Sequence, residues 1–334
     1  MRNERVEKML PDATLIFSKN SEFMARASRV FDYLFVLRPT LFFPVWTVYA
    51  AGFFSAKRFL PDAHQVDNSG WGLAIGIALS LLMGSAFILN QLIDVPTDKL
   101  NNKLFIIADG HISQTTAILE TIILAVIPLG LVAIYSPAMM FMFVAIYLVT
   151  GIFYSLPIFK WKDRPVLGII ANAAGAFLIF SAGWWIKNIS LLQPFVHAIP
   201  YASAVAAVYI FTTIIDMKGD VKFGKVTIAV RFGLLVTVWV GILFEIIALL
   251  SAWMLKDPLI FYPALFSFPF FVLAVKRQKI ADIIRAIKFP ILFLALAICV
   301  VLPNYFALLT ITYYLSKWYY YYRFGLHYPN LEAK

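Results

Sequence analysis

The segments "WGLAIGIALSLLMGSAF", residues 71–87, and "ILNQLIDVPTDKLNNK", residues 88–103, decide the fold. The first has no charged side chain. The second places three side-chain oxygens at a spacing of four, on Asn90, Asp94 and Asp98. An apolar run of about 17–25 residues is long enough to cross a bilayer as a helix. Positions four apart in a helix drift by only about 40°, so Asn90 and Asp94 share one face at the end of that run. Pro96 lacks an amide hydrogen and crowds the carbonyl of Leu92, so the helix is expected to kink or end there, with Asp98 reaching in from a loop.

The rest of the chain has the same character. Of 334 residues, 62% are hydrophobic and 14% charged, and the mean hydropathy is +0.83. Soluble domains carry about 25% charged residues, so this composition belongs in a membrane. Nine apolar runs can be placed, at 31–55, 71–93, 114–135, 138–159, 166–186, 197–215, 233–255, 258–275 and 290–316. The backbone in lipid must satisfy its own hydrogen bonds, and no alternating barrel pattern appears. The expected fold is therefore all-α, a polytopic bundle of nine transmembrane helices. It would occupy residues 30–316, between an arm at 1–29 and an aromatic tail at 317–334. The arm mixes both charge signs without an apolar centre, so it reads as solvated or interfacial rather than as a cleaved signal.

Charge orients the bundle. Twenty-one of the 28 Lys and Arg fall on the N-terminal side of the nine runs and seven on the other. This bias predicts a cytoplasmic N-terminus and a C-terminus on the opposite face. It also accounts for the net charge of +10 without nucleic acid, leaving membrane lipid as the partner of the surplus. The tail, "TYYLSKWYYYYRFGLHY", reads as an interfacial aromatic belt with no chemistry. The single cysteine, Cys299, excludes an intramolecular disulfide framework, and His64, His111, His197 and His327 are too scattered to suggest a histidine metal site.

A second acidic pair, Asp216 and Asp220, lies in "TTIIDMKGDVKFGKVTIAVRFG", after the sixth run. Four runs separate it from the first motif, so parity places both on one membrane face. Gly219 and Gly224 are expected to end its helix. Carboxylate pairs from two helices facing one cavity repel each other unless a cation joins them. Oxygen donors without His or Cys suit magnesium, which completes its shell with water and substrate phosphate. Lys218, Lys222, Lys225 and Arg231 interleave with the acids, as a polyanion requires. Together these features describe a diphosphate site at the mouth of a membrane cavity.

The chain resembles the UbiA superfamily of intramembrane prenyltransferases. The resemblance rests on N-x-x-x-D-x-x-x-D after one helix and D-x-x-x-D-x-x-x-G-K-x-T-x-A-V-R-x-G four spans later. The second pattern is matched by Asp216, Asp220, Gly224, Lys225, Thr227, Ala229, Val230, Arg231 and Gly233. "YSLPIFKWK" follows the family's Tyr-Ser-x-Pro-Pro-x-Arg-x-Lys at Tyr154, Ser155, Pro157 and Lys162, with Ile158 at the second Pro and Lys160 at the Arg. "LRP" at 37–39 matches the usual start of the first helix. The chain departs from the family at Gln91, where Asp is usual. It departs again in "NNKLFIIADG", which lacks two prolines and has Phe105 in place of a basic residue; Lys103 stands nearby as a replacement.

The resemblance implies transfer of an isoprenyl group from an isoprenyl diphosphate to a lipophilic or aromatic acceptor of quinone-precursor, chlorophyll-like or glyceryl-ether type. It implies Mg2+ held by Asp94, Asp98, Asp216 and Asp220 with Asn90 assisting. Lys103, Lys160, Lys162 and Lys225 would contact diphosphate, and Tyr154 would orient the leaving group. Two other classes compete. An ion-coupled transporter would need acids at midspan, whereas these cluster at helix ends. A CDP-alcohol phosphotransferase would need D-G-x-x-A-R upstream of its acids, and that string is absent.

Overall fold

The computed structural model describes residues 28–60, 69–101, 105–189 and 192–329, apart from the side chains of residues 69, 96–101 and 105. Residues 1–27 of the expected arm, His64, Lys103 and residues 330–334 of the tail lie outside the described residues, as does the side chain of Asp98. All regular structure among the described residues is helical.

Ten long helices follow one another: α1 (Phe42–Phe59), α2 (Ser69–Asn101), α3 (Gln114–Tyr135), α4 (Pro137–Tyr147, continued by a π-helical turn, Leu148–Phe153), α5 (Pro165–Trp185), α6 (Gln193–Lys222), α7 (Ile228–Met254), α8 (Pro258–Arg277), α9 (Ile280–Val301) and α10 (Pro303–Phe324). Among the described residues eight helical segments are long and apolar enough to cross a membrane, and the shorter Pro137–Phe153 stands between two of them. The outer faces are apolar too. On α3, Ile118, Leu119, Ile122, Ile123, Val126 and Ile127 are all exposed, which is tolerable only against lipid.

Helix α1 is the hub, packing on α2, α5, α6 and α9. It meets α5 at two glycines. A Cβ on Gly52 would strike the carbonyl of Phe180, and one on Gly183 would strike that of Tyr49. With no hydrophobic drive between helices in lipid, such small-residue crossings let backbones approach and gain dispersion contact. Near the end of the bundle remote from the acidic motifs, aromatic rings seal the packing. The His197 ring stacks between those of Phe59 and Trp184, with centroids at 4.4 and 5.0 Å.

Several expectations need correction. The first run is broken: Asp32–Phe35 forms a separate short turn of helix, and Arg38 adopts left-handed angles (φ 57°, ψ 63°) before Pro39 and the start of α1. A residue preceding proline is pushed out of the right-handed helical region, which supplies the reason. Pro96 does not end α2, which continues to Asn101, so one missing hydrogen bond to Leu92 is tolerated. Gly219 stays inside α6, and Gly224 (φ 67°) follows its end.

The largest difference is at the C-terminal end. The run 290–316 is not one span. Helix α9 ends at Val301, and Pro303 starts α10, which turns back across the bundle. Arg323 on α10 donates to both carboxylate oxygens of Asp32, at 3.1 and 3.0 Å, and Tyr319 donates to Asp32 at 2.7 Å. The rings of Phe35 and Tyr319 stack at 3.9 Å, and Arg323 also lies 3.1 Å from His111 Nδ1. The end of α10 therefore lies on the face where the first helix begins, not opposite it. Part of the aromatic tail is thus a packed helix rather than a simple belt.

Candidate active site

Helix α2 carries Asn90 and Asp94 side by side, as their spacing predicts. The segment between α4 and α5 reaches them. The π-helical turn Leu148–Phe153 directly precedes Tyr154 and Ser155, and such turns re-aim the side chains that follow. A turn then brings Lys160 into the left-handed region (φ 43°) and starts the short 3-10 turn Trp161–Asp163. Lys162 therefore points inward and is buried, at 8% exposure, while Lys160 is exposed.

Lys162 Nζ lies between the first acidic motif's oxygens, 2.7 Å from Asn90 Oδ1 and 2.6 Å from Asp94 Oδ2. Ser155 donates to the same Asn90 oxygen at 3.4 Å. Lys225 Nζ stands 3.9 Å from Asp94 Oδ1, an ion pair but not a hydrogen bond. Burial pulls the Lys162 ammonium below its ordinary range, and Asp94 opposes that shift.

The second motif comes from the end of α6. Gly224 lets the chain reverse, so that Lys225 N bonds Asp220 O at 2.9 Å. Thr227 donates its hydroxyl to Asp220 Oδ2 at 3.1 Å, and Val226 N bonds the carbonyl of Asp163 at 3.1 Å. That bond ties the lysine segment to the second motif. Gly233 then breaks α7 near its start, with φ 77° and ψ 174°, a region essentially reserved for glycine. The final Gly of the motif thus has a geometric cause. Asp216 is exposed at the last turns of α6. Lys225, in the loop after Asp220, pairs with Asp94 of the first motif, so the two motifs meet there.

Below this polar rim is a cavity of about 320 Å³. Arg38, Asn90, Tyr154 and Asn172 form its polar end, and Val45, Val48, Met83, Phe87, Ile179 and Val205 line the rest. Tyr154 and Asn172 stand together at that polar end.

Of the residues read from the sequence, Asn90, Asp94, Lys162 and Lys225 form one cluster. Tyr154 stands beside it at the cavity, Asp220 is joined to it through the 225–227 loop, and Asp216 is exposed one turn earlier on α6. The sequence reading missed Arg38, Asn172, Thr227 and Asp163 as parts of the site. Asp163 has a buried Oδ1 with no hydrogen-bond partner, one residue from Lys162. Its only signal in the sequence is its place in "KWKDR".

The donor set suits a hard cation. It consists of oxygens from carboxylates and an amide, and a buried ammonium already occupies the cleft between Asn90 and Asp94. Among the described residues no three His, Cys, Asp or Glu side chains stand close enough to hold a metal unaided. Magnesium arriving with diphosphate requires only one or two carboxylates from the protein.

A naringenin 8-dimethylallyltransferase of Sophora flavescens is 28% identical over 189 residues, covering 53% of this chain and 46% of that protein. A probable homogentisate phytyltransferase of Oryza sativa subsp. japonica is 28% identical over 166 residues, covering 46% of this chain and 44% of that protein. The chain thus spans under half the length of these curated relatives. Among solved structures, a UbiA homolog from Archaeoglobus fulgidus bound to GPP and Mg2+ superposes with a TM-score of 0.60 at 22% identity, over 81% of this chain and 99% of that one. The family model described as the UbiA prenyltransferase family matches residues 44–286, a stretch that includes both acidic motifs and the lysine segment between them, and the chain belongs to that family.

Proposed function

We propose that this chain transfers an isoprenyl group from an isoprenyl diphosphate to an aromatic acceptor, with magnesium as cofactor, at the polar rim formed by Asn90, Asp94, Lys162 and Lys225. The observation that carries this reading is the seat of Lys162 between Asn90 and Asp94, over a largely apolar cavity. Alternating ammonium and carboxylate groups there match a metal–diphosphate assembly and match nothing the apolar cavity itself would hold.

Asp94, Asp98, Asp216 and Asp220 hold the magnesium in this scheme, with Asn90 assisting. Bound magnesium supplies positive charge against the diphosphate oxygens. Lys162 and Lys225 add two ammonium groups to the same task, and Lys103 and Lys160 reach diphosphate from the rim. As the allylic C–O bond breaks, its electron pair leaves with diphosphate, and these fixed charges stabilise the developing anion. Tyr154, beside Asn172 at the polar end of the cavity, orients the leaving group. The allylic cation stays in the apolar cavity, away from water. A ring carbon of the acceptor then gives a π pair to form the new C–C bond. Loss of the ring proton to the departing diphosphate restores aromaticity.

The aromatic class is supported by relatives named for naringenin and homogentisate. A cytoplasmic site is supported by the charge bias, which the return of α10 strengthens by adding Lys317 and Arg323 to the richer face.

The test is direct. Purified protein in detergent is incubated with radiolabelled geranyl, farnesyl and geranylgeranyl diphosphates and a panel of phenolic acceptors. A labelled prenylated product is expected with magnesium, none with excess EDTA, and little with calcium, which prefers looser coordination. Full turnover in excess EDTA would overturn the metal–diphosphate site.

A further inference from the structure

The face remote from the acidic motifs is poor in charge. Among the described residues the cations at its helix ends are Lys57, Arg58, Lys187 and Lys256. Three of these four converge on one place. Lys57 and Arg58, in the last turn of α1, stand at a cavity of about 830 Å³ enclosed by α1, the start of α8 and the end of α9. Lys256 and Arg58 line an adjoining cavity of about 530 Å³ that shares Pro258 and Tyr262 with the first.

The walls of the larger cavity are apolar and aromatic. Tyr262 stacks on Phe266 at 6.3 Å, and Phe266 meets Phe293 edge-on at 6.2 Å. Tyr262, Phe266 and Val300 are exposed, so the cavity opens on the lipid-facing flank. No carboxylate lines it. The one acid in the smaller cavity, Asp257, is 1% exposed and turns its oxygens inward. It accepts from Tyr201 at 2.9 Å, Ser55 at 3.3 Å and the Leu259 amide at 3.1 Å.

A cationic head above an apolar, membrane-open groove has a definite complement. We infer that this groove binds one anionic glycerophospholipid of the leaflet opposite the active site, its phosphate on Lys57, Arg58 and Lys256 and an acyl chain between α8 and α9. The volume suits part of a lipid, since ligand cavities commonly measure about 300–1,000 Å³. Juxtamembrane Lys and Arg clusters attract anionic headgroups, and aromatic side chains favour the interface where a headgroup meets its chains. The isoprenyl diphosphate donor shares the same chemistry, an anionic head on an apolar chain. A lipid is favoured because the groove opens to the bilayer and lies on the face away from the acids that would bring magnesium.

Native mass spectrometry after delipidation and re-addition of lipid tests this without any measure of turnover. One phosphatidylglycerol is expected to be retained at least about tenfold better than phosphatidylcholine. The triple variant Lys57→Gln, Arg58→Gln, Lys256→Gln should lose that preference, with an unchanged melting temperature. A charge-matched control on the other face, Lys276→Gln, Arg277→Gln, Lys279→Gln, should keep it. Should the triple variant fail to fold, a photoactivatable phosphatidylglycerol on the unaltered protein decides, because its crosslinks should map to α8 and α9. Equal retention of the two lipids, retention by the folded triple variant, crosslinks elsewhere, or displacement of the lipid by geranyl diphosphate would each overturn the inference.

Discussion

The two acidic motifs look alike as strings and differ as structures. In the first, the Asp94 side chain is 14% exposed and faces two ammonium groups, Lys162 at 2.6 Å and Lys225 at 3.9 Å. In the second, Asp216 is exposed, and Asp220 accepts only a hydroxyl from Thr227 at 3.1 Å among the contacts of its carboxylate described above. The first motif meets an ammonium in a buried cleft, and the second is more exposed to solvent. In the proposed scheme the acids of both motifs would hold the metal, and Lys162 would contact the phosphate it carries.

The largest effect that can break this comparison is on turnover. Asp94→Asn and Asp216→Asn should each lower it by about 10²–10³, since each removes a charge from the same assembly. The double variant should be little worse than the poorer single. Losses that multiply in full would show two independent sites.

Stability should separate the motifs. In metal-free protein Asp94→Asn leaves the buried Lys162 ammonium without its counter-charge, a cost of about 1–3 kcal/mol once partial exposure is allowed for. Asp216→Asn should cost less, because its side chain is exposed. Calorimetry in EDTA should therefore show the larger drop in melting temperature for Asp94→Asn, and coincident curves would remove the asymmetry.

A smaller effect concerns pH. Burial lowers the affinity of Lys162 for its proton, and only the charged form binds diphosphate. Affinity for geranyl diphosphate should be full at neutral pH and fall as pH rises through the lowered value, before the ordinary lysine range near pH 10.4. In Lys162→Arg the fall should vanish, because guanidinium stays charged. Titration by isothermal calorimetry reads it directly, and identical profiles for the two proteins would remove Lys162 from the diphosphate contacts.

Smallest of all, Thr227→Val removes one hydrogen bond to Asp220, typically about 0.5–1.5 kcal/mol. A several-fold rise in donor KM with nearly constant kcat is expected. A loss confined to kcat would place Thr227 in the chemical step instead.

Much of this was readable before any coordinates. The acids announce themselves because carboxylates at a spacing of four are conspicuous at the end of an uncharged run, and Lys162 because "YSLPIFKWK" matches the family pattern. The break between α9 and α10 is harder, since Ile291 to Leu302 is uninterrupted apolar sequence. Its one signal is Pro303, which favours the first turn of a helix over its interior. Tyr319 is invisible among its neighbours, because a tyrosine that seals a buried carboxylate and one that sits in an interface have the same composition. Asp163 fails for a related reason: its place beside Lys162 suggests a solvated charge run, and only the fold shows the buried oxygen. The left-handed Arg38 lies in the "LRP" string, whose role as a chain break depends on backbone angles that composition does not report.

The contact between Asp32 and Arg323 joins residues 291 positions apart. At about 5–20 residues per second, a ribosome needs about 15–60 s to make the second after the first. Throughout that interval the carboxylate that will anchor the start of the first helix has no guanidinium to meet. The first residues of the bundle to be synthesised are thus among the last to be secured. A ribosome stalled before α10 leaves a chain whose defect is an uncompensated acid at its beginning, where quality control can recognise it.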